Sequence, residues 1–160
     1  MAYNILITGG AGYLGSTMVP AMLEAGHKVT VLDNFMFKQN TLGQNCLNPN
    51  FDVYRGDARD KSTLTPLIKN ADIVIPLAAI VGAPMCDADQ IAATSTNRDS
   101  IVTLTEMLSA DQRIITPITN SGYGIGEAGK VCTEESPLNP ISLYGTTKVE
   151  AEHAVLERGN

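Results

Sequence analysis

Two polar side chains near the end of the chain have the types and spacing needed for proton transfer. Tyr144 and Lys148 are four residues apart, so they would share one face of a helix. A tyrosine hydroxyl titrates at about 10 in water, and a neighbouring ammonium favours its phenolate form, which is the better base. The same pattern also occurs as an ordinary pair on a helix surface, but its position after the fifth predicted strand favours catalysis.

A glycine-rich segment near the start of the chain predicts a phosphate-binding turn. It lies between an apolar run at 5–7 and apolar residues at helical spacing, and it reads Thr8-Gly9-Gly10-Ala11-Gly12-Tyr13-Leu14-Gly15. Gly9 permits the tight turn, Gly12 lets the backbone approach a phosphate, and Gly15 allows close helix–strand packing. The following helix offers unpaired N–H groups and a favourable dipole to an anion. The alternative is an ordinary tight turn in a βαβ unit.

An acidic residue after the second predicted strand indicates which dinucleotide binds. Residues 28–32 form this strand, and Asp33 ends it about 20 residues after the glycines, where a carboxylate binds the ribose hydroxyls of NAD. The next residues, 34–36, contain no arginine that would bind the 2′-phosphate of NADP. Together with the tyrosine–lysine pair, this pattern predicts hydride chemistry with NAD as the cofactor.

Charge and composition exclude several other classes of protein. The 160 residues carry a formal net charge of -6 and no basic stripe, so binding to nucleic acid or to an anionic membrane is not expected. No apolar run is long enough to span a bilayer, and no charged leader precedes the first strand. Cys46, Cys86 and Cys132 are odd in number and widely spaced, which predicts reduced thiols, no metal site and a cytoplasmic location.

The rest of the chain alternates between runs typical of buried strands and segments typical of helices. Strands are predicted at 51–55, 73–77 and 113–118, and helices at 62–69, at 88–109 and from about Ser142. This alternation predicts an α/β fold with a mostly parallel, doubly wound sheet of about five strands in one domain, 1–160. The loop-rich segments 34–50 and 120–140 are long enough to be functional.

Taken in order, these motifs resemble those of the extended short-chain dehydrogenases/reductases, in the group of NAD-dependent nucleotide-sugar epimerases and dehydratases. The resemblance covers essentially the whole chain. Besides the glycine segment and Asp33-Asn34, it rests on Gly56-Asp57-Ala58-Arg59-Asp60, Leu77-Ala78-Ala79, Asn97, the segment from Thr119 to Gly124, Pro137-Leu138-Asn139-Pro140 and the segment from Tyr144 to Lys148.

The resemblance implies a Rossmann sheet of order 3-2-1-4-5 and a defined set of site residues. The catalytic residues are Thr119, Tyr144 and Lys148, with the Thr119 hydroxyl holding the sugar oxygen that loses its proton. The cofactor-binding residues are Gly9, Gly12, Tyr13, Leu14, Gly15, Asp33, Asn34, Asp57, Ala58, Leu77, Ala78, Ala79, Asn97, Tyr144 and Lys148, and no metal is implied.

Two positions depart from the family pattern. In the family's dehydratases an Asp and a Glu follow the hydroxyl residue and eliminate water, whereas Asn120 and Ser121 follow Thr119 here. This difference favours epimerisation through a keto sugar over dehydration. Pro76 stands where many relatives have a histidine, and the sequence offers no functional account of it.

The length also departs from the family pattern, because family members continue for well over a hundred residues beyond the point that corresponds to Asn160. The cofactor half is present, while the C-terminal lobe that binds the nucleotide sugar is absent, so the chain is a truncated, split or naturally short form. Two classes remain: an epimerase completed by a partner chain, and a non-catalytic NAD-binding sensor or assembly module. A homodimer is also expected, through helices at 90–109 and 142–157 with apolar Ile101, Leu104, Leu108, Val149 and Val155. The alternative is that these side chains face the chain's own sheet.

Overall fold

The computed structural model describes residues 1–126, 129 and 131–159. Within this part, five strands form one parallel sheet of order β3-β2-β1-β4-β5, as predicted. The strands are β1 Asn4–Thr8, β2 Lys28–Asp33, β3 Phe51–Arg55, β4 Ile73–Pro76 and β5 Arg113–Ile114. The predicted loop 120–140 contains Glu127, Ala128 and Lys130, and the predicted domain ends at Asn160; these four residues lie outside the described part.

Helices cover both faces of the sheet. Their bounds are α1 Tyr13–Glu24, α2 Lys61–Ile68, α3 Ala83–Ala88, α4 Gln90–Thr94, α5 Ser100–Met107 and α6 Leu143–Arg158, with a π-helical turn at Ser95–Asp99 and 3-10 turns at Gly43–Asn45 and Asn120–Tyr123. The helix predicted at 88–109 is therefore α4, the π-helical turn and α5 in succession. None of the helices in the described residues combines the length and apolarity needed to cross a membrane.

Alternating side chains of the central strands supply two separate cores. Ile5, Ile7 and Ile75 pack on one face of the sheet with Val19 and Leu23 of α1. Leu6, Leu32 and Val74 pack on the other face with side chains of α2 and α5. Because neighbouring residues of a strand point to opposite faces, a strand buried on both sides must be apolar throughout. The continuous apolar runs in the sequence reflect this arrangement.

The apolar residues proposed for a dimer interface are used inside the chain. Ile101, Leu104, Leu108 and Val149 are buried, and Leu104 and Leu108 belong to the second core, against which Val155 packs. The four buried side chains are therefore not available for a dimer surface, and Leu104, Leu108 and Val155 pack in a core of the chain's own sheet, as the alternative had it. That the chain forms a homodimer stays a prediction. Apolar residues repeat at the same helical spacing whether they face the chain's own sheet or a second subunit, so the sequence did not distinguish the two arrangements.

The fifth strand is much shorter than the predicted 113–118. Arg113 N–H donates to the Asp72 carbonyl and Ile115 N–H to the Val74 carbonyl, each at 3.0 Å. The next donor in this ladder would be residue 117 to the carbonyl of residue 76, and the return bond would need the N–H of residue 76. Both positions are proline, which has no N–H group, so the ladder between β4 and β5 stops at the carboxyl edge of the sheet.

Restoring one of these donors should extend the strand. In Pro117→Ala, the new amide of residue 117 faces the Pro76 carbonyl, and we expect slow hydrogen exchange at this amide. Amide-resolved exchange measured by NMR tests this. Pro137→Ala, in an exposed loop, is the control and should give a rapidly exchanging amide. Equally rapid exchange at residue 117 would show that the prolines do not end the ladder.

Candidate active site

A cleft of about 850 Å³ opens at the carboxyl edge of the sheet. This is the edge at which open α/β sheets bind ligands, because loops from neighbouring strands diverge there. All predicted site residues line the cleft except Gly15, Asn97 and Thr119; those that line it are Gly9, Gly12, Tyr13, Leu14, Asp33, Asn34, Asp57, Ala58, Leu77, Ala78, Ala79, Tyr144 and Lys148. The fold therefore brings the two ends of the chain together at one site.

Glycine is needed at the three predicted positions for different structural reasons. Gly9 has a φ of 73°, and a Cβ atom there would lie 2.4 Å from the Ala78 backbone nitrogen. A Cβ at Gly15 would lie 2.0 Å from the Gly10 carbonyl oxygen, so Gly15 serves the packing of α1 and lies outside the cleft. A Cβ at Gly12 meets only the Gly9 carbonyl at 3.3 Å. Packing within the protein thus explains Gly9 and Gly15, while the space beside Gly12 is the cleft itself.

The Asp33 carboxylate connects the glycine turn to the loop after β2. Its Oδ2 accepts a hydrogen bond from Ala11 N–H at 2.9 Å, and its Oδ1 accepts one from Phe35 N–H at 2.7 Å. Each carboxylate oxygen has a second lone-pair direction, so the group can still accept from a ligand hydroxyl. Asp33 therefore fixes the shape of this end of the cleft in addition to lining it.

Asp57 lines the cleft in a tight pair with Arg59, a residue for which the sequence had given no role. The Arg59 guanidinium donates to both carboxylate oxygens, with Nη2–Oδ2 at 2.6 Å and Nε–Oδ1 at 3.0 Å, and its Nη1 reaches Ser95 Oγ at 3.0 Å. The hydrogen bond from Arg59 holds the pKa of Asp57 below its usual range. Arg59 thereby connects the β3–α2 turn to the π-helical turn across one wall of the cleft.

Helix α6 presents Tyr144 and Lys148 to the cleft from successive turns. The helix begins where Ser142 Oγ accepts from Gly145 N–H at 3.1 Å, and it ends at Gly159 with a φ of 79°. Lys148 is only 6% exposed, and burial lowers the pKa of its ammonium against an opposing effect of Glu152. Among the described residues it has no hydrogen-bond or ion-pair partner. A buried cation without a partner is costly, which indicates a role towards a ligand.

Thr119 lies beside the cleft in a turn that packs against α6. Its Oγ1 accepts from Ser121 N–H at 3.2 Å and begins the 3-10 turn Asn120–Tyr123, while its own hydroxyl proton remains available to donate. The turn approaches α6 so closely that a Cβ at Gly145 would lie 2.8 Å from the Ser121 carbonyl oxygen. Thr119 thus follows the short β5 by several residues, because the prolines end the strand before it.

Asn97 has its side chain committed within the protein. It is 1% exposed, its Oδ1 accepts from Ile80 N–H at 2.8 Å, and its Nδ2 donates to the Ile80 carbonyl at 2.9 Å. The same Nδ2 lies 3.5 Å from Thr147 Oγ1 on α6. Asn97 therefore holds the segment after β4 against α6 and does not line the cleft, and its contact with the cofactor stays a prediction.

Other residues line the cleft that the sequence did not single out, including Phe37, Lys38, Val81, Met85 and Pro117. Several of them are exposed apolar side chains, which carry no recognisable chemical pattern in a sequence. The free thiols fit the expectation of unpaired cysteines, with Cys86 buried and Cys46 and Cys132 exposed. Among the described residues, no group of three or more His, Cys, Asp or Glu side chains could hold a metal ion.

The glycine turn, the acid after β2 and the tyrosine–lysine helix at one sheet edge define a Rossmann-type dinucleotide-binding domain. The family model for the NAD dependent epimerase/dehydratase family matches residues 5–160, and the chain belongs to that family. Membership of this family confirms the predicted resemblance and makes NAD the cofactor.

Individual relatives differ in the reaction that they catalyse. The chain is 30% identical over 157 residues to a UDP-N-acetyl-alpha-D-glucosaminuronate decarboxylase of Bacillus cytotoxicus, covering 97% of this chain and 47% of the relative. It is 30% identical to the UDP-glucose 4-epimerase of Neisseria meningitidis, covering 96% and 48%. The UDP-glucuronic acid 4-epimerase of Bacillus cereus, solved with UDP-glucuronic acid and NAD, is 28% identical with a TM-score of 0.87, covering 97% and 52%. The chain thus spans about half the length of the relatives it matches.

Removing the buried ammonium should stabilise the protein and weaken cofactor binding. We expect Lys148→Met to raise the free energy of unfolding by about 1 kcal/mol near neutral pH, because an unpaired buried charge is replaced by an apolar side chain. Denaturant unfolding and NAD titration measure the two effects.

The stability effect of Lys148→Met should also depend on pH with a defined sign. Burial lowers the Lys148 pKa, so the folded protein releases this proton at a lower pH than the unfolded chain. Stability of the parent should therefore rise as pH increases through the interval between the two pKa values, and the advantage of Lys148→Met should shrink there. If the difference in free energy of unfolding between Lys148→Met and the parent stays constant across that interval, burial does not destabilise the ammonium.

Breaking the Arg59 contacts should loosen the wall of the cleft that contains Asp57. We expect Arg59→Met to weaken NAD binding about threefold, the scale of a partly exposed ion pair, with little change in thermal stability. Isothermal titration measures the affinity. Arg55→Met, at an exposed position outside the cleft, is the matched control and should bind like the parent. Parent-like affinity of Arg59→Met for NAD would show that the ion pair does not support this wall of the cleft.

Proposed function

We infer that this chain supplies the cofactor half and the acid–base residues of a nucleotide-sugar epimerase that works through a keto sugar. The observation that carries the inference is that Tyr144 and Lys148 line the same cleft as the glycine turn and Asp33. Proton transfer and hydride transfer must occur at one sugar carbon, so the residues for both must face one space.

The residues of the cleft fit NAD along its whole length. The N-terminus of α1, with an open position beside Gly12, suits the pyrophosphate. Asp33 suits the adenosine ribose, and Asp57 with Ala58 suits the adenine end. Leu77, Ala78 and Ala79 form a wall between these residues and α6, where the nicotinamide end would meet Tyr144 and Lys148.

The chain's own residues divide the proton chemistry between them. NAD, held by the glycine turn and Asp33, would supply reversible hydride transfer at a sugar carbon. Tyr144 Oη, as phenolate, takes the proton of the hydroxyl on that carbon, and the Lys148 ammonium stabilises the phenolate. The Thr119 hydroxyl donates a hydrogen bond to the same sugar oxygen. After the keto sugar has turned over, Tyr144 returns the proton, so no net oxidation occurs.

Epimerisation fits these residues better than dehydration does. Elimination of water needs a further acid and base at the sugar, and the positions after Thr119 are Asn120 and Ser121, which are weak in both roles. The Ser121 backbone is also engaged, since its N–H donates to Thr119 and its carbonyl lies against Gly145. The relatives include 4-epimerases that act on UDP-sugars and one decarboxylase.

The exposed rim of the cleft supports completion by further polypeptide. Large apolar side chains stand around its opening with much of their surface in solvent: Tyr13, Leu14, Met36, Phe37, Val81, Met85 and Ile118. Apolar patches of this kind usually mark a surface that a ligand or partner covers. The chain spans about half of its relatives, so the sugar nucleotide would be bound by a C-terminal lobe supplied by another chain or by a longer form. A homodimer, if formed, must use residues other than the buried apolar set.

The competing function is that of an NAD-binding module without catalysis. Native mass measured together with NAD content separates the two. A complex that contains a second polypeptide and turns over a UDP-sugar supports the epimerase. A lone NAD-bound chain that binds no UDP-sugar supports the module.

Replacing the tyrosine hydroxyl tests the mechanism. In the assembly that turns over sugar, Tyr144→Phe should keep NAD affinity but slow epimerisation about 10²–10⁴-fold, the usual loss for a general acid–base group. Stopped-time assays of the epimer ratio measure the rate. Tyr123→Phe removes a tyrosine hydroxyl that lies outside the cleft and is the matched control. Unchanged epimerisation with Tyr144→Phe would remove Tyr144 from the proposed mechanism.

A further inference from the structure

The segment that follows β2 has an unusual backbone. Phe35 has a φ of 56° and Lys38 a φ of 51°, and neither is glycine. Residues with a Cβ atom rarely adopt this left-handed region, and where they do, the surrounding structure must hold them there. Two such residues within four positions, at the edge of the cleft, indicate that this backbone path is set by something other than local preference.

Three hydrogen bonds hold the segment against the glycine turn and against itself. Phe35 N–H donates to Asp33 Oδ1 at 2.7 Å, and Lys38 N–H donates to the Phe35 carbonyl at 3.0 Å. Thr41 Oγ1 donates to the Ala11 carbonyl at 2.7 Å. The Phe35 side chain also packs against the first core. The segment is therefore a fixed part of the cleft wall, and Lys38 is carried on it.

Lys38 differs from the other two cations that line the cleft. Arg59 is paired with Asp57, and Lys148 is buried on α6 at the opposite end. Lys38 is exposed, lies on the same segment as Asp33 and Asn34, and has no ion-pair or hydrogen-bond partner for its ammonium among the described residues. Lys38 is thus an unpaired lysine on the cleft-lining segment that follows Asp33, the residue proposed to bind the adenosine ribose.

We propose that Lys38 reads the 2′ position of the adenosine ribose and sets how strongly the chain prefers NAD to NADP. The Asp33 carboxylate accepts hydrogen bonds from ribose hydroxyls and repels a 2′-phosphate. The Lys38 ammonium attracts that phosphate, which carries nearly two negative charges at neutral pH. The parent chain therefore still prefers NAD, but by a smaller margin than Asp33 alone would give, and it binds NADP measurably. The proposal rests on the proposed function only in requiring a dinucleotide in this cleft.

The test is the ratio of the NADP and NAD dissociation constants, measured by titration calorimetry on the chain and its variants. Lys38→Asn removes the charge with a residue that tolerates the left-handed conformation, so the loop keeps its fold. We expect this variant to raise the ratio about tenfold or more, the scale of a lost hydrogen bond to a charged group. Lys38→Arg should restore the parent ratio, and Lys69→Asn, an exposed lysine outside the cleft, should leave it unchanged.

If the parent binds NADP too weakly for an accurate titration, the effect of Lys38 can be measured in a variant with an uncharged residue at position 33. Asp33→Asn keeps an acceptor oxygen and removes the repulsion, so NADP should bind more tightly, and adding Lys38→Asn should cancel that gain. A ratio that does not respond to Lys38→Asn in either background overturns the proposal, as does an equal weakening of NAD and NADP, which would place Lys38 at the pyrophosphate. If the parent binds neither dinucleotide, the proposed function fails first.

Discussion

The cleft depends above all on the Asp33 carboxylate and its two backbone donors. One oxygen holds Ala11 in the glycine turn, and the other holds Phe35 in the segment after β2. Both bonds tie the end of β2 to residues that belong to no helix or strand, at the edge where the sheet provides no further ladder. Removing this group leaves two buried or half-buried N–H donors without partners, which costs more than the bonds themselves contribute. The proposed ribose contact and the geometry of the loop therefore depend on the same side chain.

The opposite end of the cleft depends on close contact between a turn and a helix. The 3-10 turn that Thr119 begins lies against α6 at Gly145, and Gly122 of that turn lies within 3.0 Å of Val149 Cγ2 if it is given a Cβ atom. A larger residue at position 145 would require a shift of the backbone, and one at position 122 would require the Val149 side chain to move by a few tenths of an ångström. Since Tyr144 precedes Gly145 directly, the packing that positions the helix also positions the hydroxyl of Thr119 relative to the tyrosine. The proposed acid–base residues are thus placed by glycines and have no direct bond to one another among the described contacts.

Much of this arrangement was predictable from sequence because it follows from strong local patterns. Strand β3 matches its predicted bounds, the parallel sheet follows from the alternation of strands and helices, and the sheet order is the one that the family resemblance implies. The fifth strand was overextended because Ile114 and Ile115 have high strand propensity, whereas its end is decided by Pro76 on a neighbouring strand together with Pro117. The hydrogen bonds of Asn97 were not predictable for a similar reason: their partner, the Ile80 backbone, is distant in sequence. Pairings of this kind are invisible in a single sequence, because no local pattern records which strand or loop lies alongside.

The unfavourable features of the chain are concentrated at the cleft. The buried ammonium of Lys148, the two left-handed residues after Asp33 and the interrupted ladder between β4 and β5 all lie there, while the two cores on either side of the sheet show ordinary apolar packing. These features lower stability where a ligand can compensate for it, since the phosphates of a bound dinucleotide would pair with the unpaired lysines, while the apolar rim is left for further polypeptide to cover. The chain as a whole has a net charge of -6, yet Lys38, Arg59 and Lys148 all line this one cleft. Asp33, Asp57 and Asp89 line it as well, so the formal charges of the lining balance in a molecule that is acidic overall. The placement of the individual charges, and not an excess of positive charge, would therefore act on the phosphates of a dinucleotide.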